Sequence, residues 1–138
     1  MTKYIFEVLE ELAKKKTKAE KVKVLKDNES WALKDILRGT LDSTIKWNLP
    51  EGAPPYNASR PENHPASLLR ENRKFRYLAK GGQGDRLPAF KRETIFIGIL
   101  EGVHPQDAEV VVNMTNKVIP KGITRSIVEE AFPGLLQD

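Results

Sequence analysis

The stretch Lys121-Gly122-Ile123-Thr124-Arg125-Ser126-Ile127-Val128-Glu129-Glu130-Ala131-Phe132-Pro133-Gly134 reads as a glycine turn, a helix start and an amphipathic helix closed by Pro-Gly. Gly122 takes a positive φ without steric cost, and Thr124 is a good N-cap for the helix that follows. A helix start exposes unpaired N–H groups and a partial positive charge. Lys121 and Arg125 flank that point and Ser126 follows it. Two readings stay open on these residues alone: an ordinary joint between helices, or an anion site at a helix N-terminus.

Working outward, the same helical grammar recurs. Ile5, Val8, Leu9 and Leu12 are spaced for one helix face within residues 3–16. Thr17 with Glu20 forms the capping-box pattern of a second helix, with Val22 and Leu25 as its apolar positions. A third helix is expected from about Ser30 to Gly39 on Leu33, Ile36 and Leu37, then a short helical turn over 42–47. Residues 67–80 predict a single basic helix with Leu68, Leu69, Phe75, Leu78 and Ala79 facing inward. Gly81 to Gly84 break it. Pro88 fits the first turn of a helix reaching Glu101, and Pro105 opens another with Ala108, Val111, Val112 and Met114. The expectation is an all-α, compact bundle of six or seven helices. Residues 49–65 contain Pro50, Gly52, Pro54, Pro55, Pro61 and Pro65, and predict a long, flexible Pro-rich loop. Residues 1–138 are expected to form one domain.

Charge is distributed unevenly. The net charge is only +4, but Arg60, Arg70, Arg73, Lys74, Arg76, Lys80, Arg86, Lys91 and Arg92 are opposed between them only by Glu62, Glu71 and Asp85. From Glu93 onward the balance turns acidic, which predicts a sided surface. On a helix, Arg70, Arg73 and Lys74 would share one face through their spacing, a plausible phosphate-contacting stripe. Lys91 and Arg92 lie in the first turns of a helix, where cations oppose the dipole. Contact with phosphates and groove shape, rather than reading of bases, is what such residues can do.

Other chemistry finds little support. The chain has no cysteine, which excludes disulfides, thiolate zinc sites and cysteine nucleophiles. His64 and His104 each precede a proline and have no metal-ligand spacing around them. Gly81 to Gly84 lack the Gly-Lys-Ser/Thr ending of a nucleotide loop. A helix stop and hinge is the simpler reading, and close approach to a nucleic-acid backbone beside Lys80 and Arg86 is the other. Trp31, Trp47, Tyr56 and Tyr77 could stack on bases, but the tryptophans are read as packing residues. No apolar run approaches the roughly 18 residues of a membrane span, so a cytoplasmic protein is expected, with no membrane partner and no cofactor.

Two blocks carry a resemblance. Gly122, Thr124, the Ser126-Ile127 pair and the Phe132-Pro133-Gly134-Leu135 run resemble the end of the N-terminal DNA-binding domain of T-even-type bacteriophage ATP-dependent DNA ligases. Thr17-Lys18-Ala19-Glu20-Lys21 through Leu25, Asp27-Asn28-Glu29, Leu33-Lys34 and Lys46-Trp47 resemble its beginning in order and approximate spacing. The chain is also similar to small phage-encoded proteins. No Lys-x-Asp-Gly adenylation motif is present, and the loop over 49–65 has no counterpart in that domain. The resemblance implies a DNA-gripping module without an enzyme. It would contact the backbone of double-stranded or nicked DNA on the minor-groove side, with little sequence specificity, in a bacterial host cytoplasm. It further implies that Lys121, Gly122, Thr124, Arg125 and Ser126 receive one phosphate. Arg70, Arg73, Lys74, Arg86, Lys91 and Arg92 then serve as additional anchors. The alternative expectation is a protein–protein adaptor that binds a phage or host replication or transcription protein, with the Pro-rich loop and Tyr56 as its docking element.

Overall fold

Leucines and isoleucines at helical spacing bury one stripe of each segment, and the bundle follows from closing those stripes on one another. A computed structural model describes residues 3–138. Helix α1 (Ile5–Lys14) buries Ile5, Val8, Leu9 and Leu12. Helix α2 (Lys18–Asp27) is capped by Thr17, whose hydroxyl oxygen accepts from the Glu20 N–H at 3.2 Å and donates to the Glu20 carboxylate at 2.9 Å. Helix α3 (Trp31–Leu41) is capped by Ser30, which accepts from the Leu33 N–H at 3.1 Å. A single α-helical turn, α4 (Leu68–Glu71), is followed by α5 (Ala89–Gly102), α6 (Pro105–Thr115) and α7 (Arg125–Ala131). The all-α bundle expected from the sequence is therefore present, with seven α-helices among the described residues.

Helix α6 is the hub. It packs on α1, α3 and α5, while α2 lies between α1 and α7. Leu12, Leu25, Leu33, Leu37, Leu68, Leu78, Ile99 and Leu100 are fully buried in the shared core. Burial of each such side chain contributes about 1.5–3 kcal/mol before conformational entropy is counted. The segment 49–65 carries no helix or strand and is tied down at intervals. Gly52 N–H donates to Asn116 Oδ1 at 2.8 Å, Asn57 N–H to Glu101 at 2.7 Å, and the Ser59 hydroxyl to the Val103 carbonyl at 2.5 Å.

Two local expectations are corrected. Residues 67–80 do not form one α-helix: after α4 the chain tightens into a 3-10 helix, Asn72–Tyr77. The reason lies in the burial pattern. Asn72, Phe75 and Leu78 are all buried, and only a three-residue repeat brings positions spaced by three onto one line. Leu69, expected inside, is 39% exposed. Residues 42–47 are not a helical turn either. Asp42 is buried in an extended conformation and accepts from the Thr44 N–H (2.9 Å), the Thr44 hydroxyl (2.6 Å) and the Gln137 N–H (2.9 Å). Trp47 then pairs with Ala79 in an isolated antiparallel bridge, through Asn48 N–H to the Leu78 carbonyl and Lys80 N–H to the Lys46 carbonyl, both 2.7 Å. Trp47 is thus structural, and its indole N–H donates to the Gly39 carbonyl at 3.0 Å.

Candidate functional site

The change from α-helix to 3-10 helix decides which cations stand together. In a 3-10 helix residues i and i+3 eclipse, so burial of Asn72 and Phe75 on one side leaves Arg73 and Arg76 in line on the other, with Arg70 of α4 three residues before them. All three are exposed. Among the described residues none of them has a carboxylate within 4.0 Å. Arg76 Nε donates to the Arg73 carbonyl at 2.8 Å, and its guanidinium lies 5.9 Å from the Tyr77 ring centroid. Lys74, expected to share the face with Arg70 and Arg73, instead pairs with Glu71 at 3.0 Å. The 3-10 repeat removes Lys74 from the line and puts Arg76 in its place.

Arg38 of α3 extends this line. A groove of about 270 Å³ is lined by Arg38, Arg73, Arg76, Trp47, Phe75 and Asp35, among others. Arg38 pairs with Asp35 at 3.1 Å, and the other Asp35 oxygen accepts from Asn72 Nδ2 at 2.8 Å. The Arg38 Nε is buried without a partner. Arg38 also lines a second groove of about 550 Å³ with Lys26, Trp31, Lys34 and Phe132, so the two grooves adjoin through one side chain. Trp31, read from the sequence as a packing residue, is 69% exposed. Residues 31, 34 and 38 share one face of α3 by their spacing of three and four. That spacing is the signal in the sequence that points to Arg38 and Lys34.

The remaining expected anchors lie elsewhere. Arg86 is exposed on a second 3-10 turn, Gln83–Arg86, and Lys91 is exposed in the first turn of α5. Arg92 turns inward: its guanidinium donates to the carbonyls of Asn48 (3.3 Å), Gly84 (3.0 Å) and Leu87 (2.6 Å). Arg92 thereby ties the glycine-rich segment to the loop before it. A Cβ on Gly84 would overlap the Tyr77 carbonyl, and one on Gly82 would lie 2.8 Å from the Arg76 carbonyl oxygen. The backbone that approaches Gly82 and Gly84 is the chain's own, which corrects the reading of Gly82 as a point of close approach for a nucleic-acid backbone; a Cβ on Gly81 would meet nothing within 4 Å among the described residues.

At the start of α7 the expected turn is present. Gly122 has φ +83°, and a Cβ there would lie 3.2 Å from the Ala13 Cα. Thr124 accepts from the Ile127 N–H at 3.3 Å. Ser126 Oγ accepts from Lys18 Nζ at 2.6 Å, and Lys18 also lies 3.7 Å from Glu130. Arg125 pairs with Glu129 at 2.9 Å and with Asp138, and donates to the Leu41 carbonyl at 3.4 Å. Its hydrogen bond to Asp138 raises the Arg125 pKa, and the same contact holds the Asp138 carboxyl well below the usual range. Arg125 therefore anchors the chain's last residues to the end of α3. Lys121 and Lys21 remain beside Gly122 without a carboxylate partner among the described residues.

A cluster not anticipated from the sequence joins three distant segments. Tyr4 Oη and His64 Nε2 are 2.8 Å apart, and His104 packs on Tyr4 and Phe6 with ring centroids at 4.8 and 4.5 Å. His104 Nδ1 accepts from the Gln106 N–H at 3.0 Å, so His104 itself caps α6, and burial lowers its pKa. Beside it, Asp107 is 2% exposed and accepts from the Phe6 N–H at 2.9 Å. Burial pushes its carboxyl up to about 6 against the opposing effect of that hydrogen bond. Among the described residues no three His, Asp or Glu side chains converge on a metal position. Among the described residues no helix is long and apolar enough to cross a membrane.

None of the curated proteins compared with the chain matches it. A family model matches residues 8–121, which takes in the arginine line, Arg38 and Trp31, and the chain belongs to this family of unknown function (DUF6433).

Proposed function

We propose that this protein grips duplex DNA through the phosphate backbone, with little sequence preference and no chemistry of its own. The observation that carries the reading is Arg73 and Arg76 in line on the 3-10 helix, with Arg70 in the α-helical turn just before it, three exposed guanidinium groups with no carboxylate within 4.0 Å among the described residues. Like charges held so close repel one another, and a polyanion relieves that cost. At a rise of about 2 Å per residue Arg73 and Arg76 lie ~6 Å apart along the 3-10 helix, beside a duplex that carries one charge per ~1.7 Å of axis. Lys21 and Lys121 beside the Gly122 turn offer a second point of contact, and Arg86 and Lys91 further ones. The resemblance of the two terminal blocks to the phage ligase DNA-binding domain supports the same reading. It points to an accessory role in DNA replication or repair in a bacterial cytoplasm.

Fluorescence anisotropy on short blunt and nicked duplexes over a salt series tests the proposal. The three arginines alone predict a slope of log affinity against log salt near −2.7, at about −0.9 per contact, and each further contact steepens it by the same amount. No binding to any duplex at low salt would overturn it.

A second reading has its own observation. An apolar groove of about 460 Å³ lies between α1 and α6, with Val118 (50%) and Ile119 (53%) exposed beside it and Glu10 and Glu109 among its lining residues. On this adaptor reading the groove takes a partner protein, and the protein pulls down that partner while naked DNA stays unbound.

A further inference from the structure

We propose that the groove framed by Trp31, Lys34, Arg38 and Phe132 receives an unpaired nucleotide at the end of a duplex, its base stacked on Trp31. The inference rests on the reading of the arginine line as a DNA grip and adds a preference for ends or gaps over continuous duplex.

Trp31 is the most exposed large apolar residue of the described chain. As the first residue of α3, directly after the Ser30 cap, its side chain leaves the bundle at a helix start. Lys34 Nζ lies 4.8 Å from the Trp31 ring centroid and 5.4 Å from that of Phe132, and it pairs with Glu29 at 2.5 Å. A lysine held between two rings fixes the indole against α3 through cation–π attraction. An exposed and fixed aromatic face offers any base a stacking surface at little cost in side-chain entropy. Lys26 lines the same groove without a carboxylate partner among the described residues, and Arg38 stands at its junction with the arginine line. A phosphate attached to the stacked base meets Lys26 and Arg38 there. Glu29 also lines the groove but is taken up by Lys34, so the apolar body bordered by Lys26 and Arg38 fits a nucleotide, whose base would cover Trp31, better than an acidic peptide. A continuous duplex has no free base to offer. An overhang, gap or frayed nick does.

The test compares a labelled blunt duplex with the same duplex carrying a short oligothymidine overhang, by anisotropy and by tryptophan fluorescence. The wild-type protein is expected to prefer the overhang about tenfold, since stacking on an aromatic is worth roughly 1–3 kcal/mol per base. The overhang should also quench the Trp31 emission. In Trp31→Ala the preference disappears and the remaining emission, from Trp47, no longer responds; Trp31→Phe keeps part of the preference. Equal affinity for the two DNAs, or a preference that survives in Trp31→Ala, overturns the stacking site while blunt-duplex binding leaves the backbone grip standing. Absence of binding to both DNAs overturns both.

Discussion

Asn72 donates its side-chain amide to Asp35 at 2.8 Å, and through that bond the 3-10 turn carrying the arginines is fixed to α3. Asn72 is 6% exposed and its own Oδ1 has no partner. The position therefore carries an unsatisfied acceptor in return for one buried hydrogen bond to a carboxylate. Asn72→Ala removes the bond and leaves Asp35 with Arg38 alone. A loss of about 1–2 kcal/mol is expected in urea unfolding. Asn72→Asp places a second carboxylate against Asp35 and should cost more. If instead Asn72→Ala unfolds at the wild-type midpoint, the turn is held by Phe75 and Leu78 without help from the polar bond.

The arginine line makes a specific statement about which charges matter. Arg73→Glu with Arg76→Glu reverses two members that lie in one groove with Arg38. The salt slope should flatten by about 2, near 0.9 for each lost contact. Lys74→Glu, next door in sequence, removes a residue already paired with Glu71 and should change the slope far less. An equal effect of Lys74→Glu and Arg73→Glu would mean that net charge alone governs binding.

Most of the helices were legible because their signals are local. Thr17 with Glu20, Ser30, Pro105 and Thr124 each mark a helix start whose capping partner lies within a few residues. The basic segment departs from its local pattern for the opposite reason. Arg70 and Arg73 share a face with Lys74 on an α-helix, whereas a three-residue repeat puts Arg73 with Arg76, and the choice is made by Asp35 and the core beneath, far away in sequence. Arg125 and Arg92 look like free cations in the chain, yet their partners are Asp138 and the backbone of Asn48 and Gly84. Trp31 reads as packing because a tryptophan in a helix is more often core or edge packing, and nothing in its neighbours says which way the first residue of α3 points. The Tyr4–His64–His104 contact joins residues no periodicity connects.

Gly122 is confined from two sides. Its φ of +83° disfavours any side chain, and a Cβ would press on the Ala13 backbone at 3.2 Å and on Leu12 at 3.4 Å. Backbone cannot give way as a flexible side chain can. Gly122→Ala should cost roughly 1–3 kcal/mol of stability, read as a lower unfolding temperature, and Gly122→Val more. If DNA affinity of the folded Gly122→Ala protein also falls on every duplex alike, the turn touches the backbone. Unchanged affinity with reduced stability would confine Gly122 to a structural role and take Lys121 and Lys21 out of the interface.

Asp107 gives stability a pH dependence with a definite sign. Its carboxyl is raised from 3.8 to about 6 by burial, so the folded state binds a proton more tightly than the unfolded chain does. The stabilisation is complete below pH 4 and is lost as pH rises through 6. Two pH units correspond to roughly 2–3 kcal/mol, and with 2% exposure solvent screens little of it. His104 works the other way: its pKa is lowered, mainly by burial, so its contribution is present above 6.5 and lost as pH falls. Asp107 and His104 thus pull wild-type stability in opposite directions between pH 4 and 7, and His64 and Glu7 are the other titratable groups that act on both. Asp107→Asn separates them. Asparagine can still accept from the Phe6 N–H but carries no charge, so the variant should match the wild type near pH 4 and exceed it by about 2 kcal/mol at pH 7.5. The His104 trend is then no longer opposed by Asp107, and the variant loses stability as pH falls below 6.5. The same stability difference at both pH values would show that Asp107 does not titrate in this range.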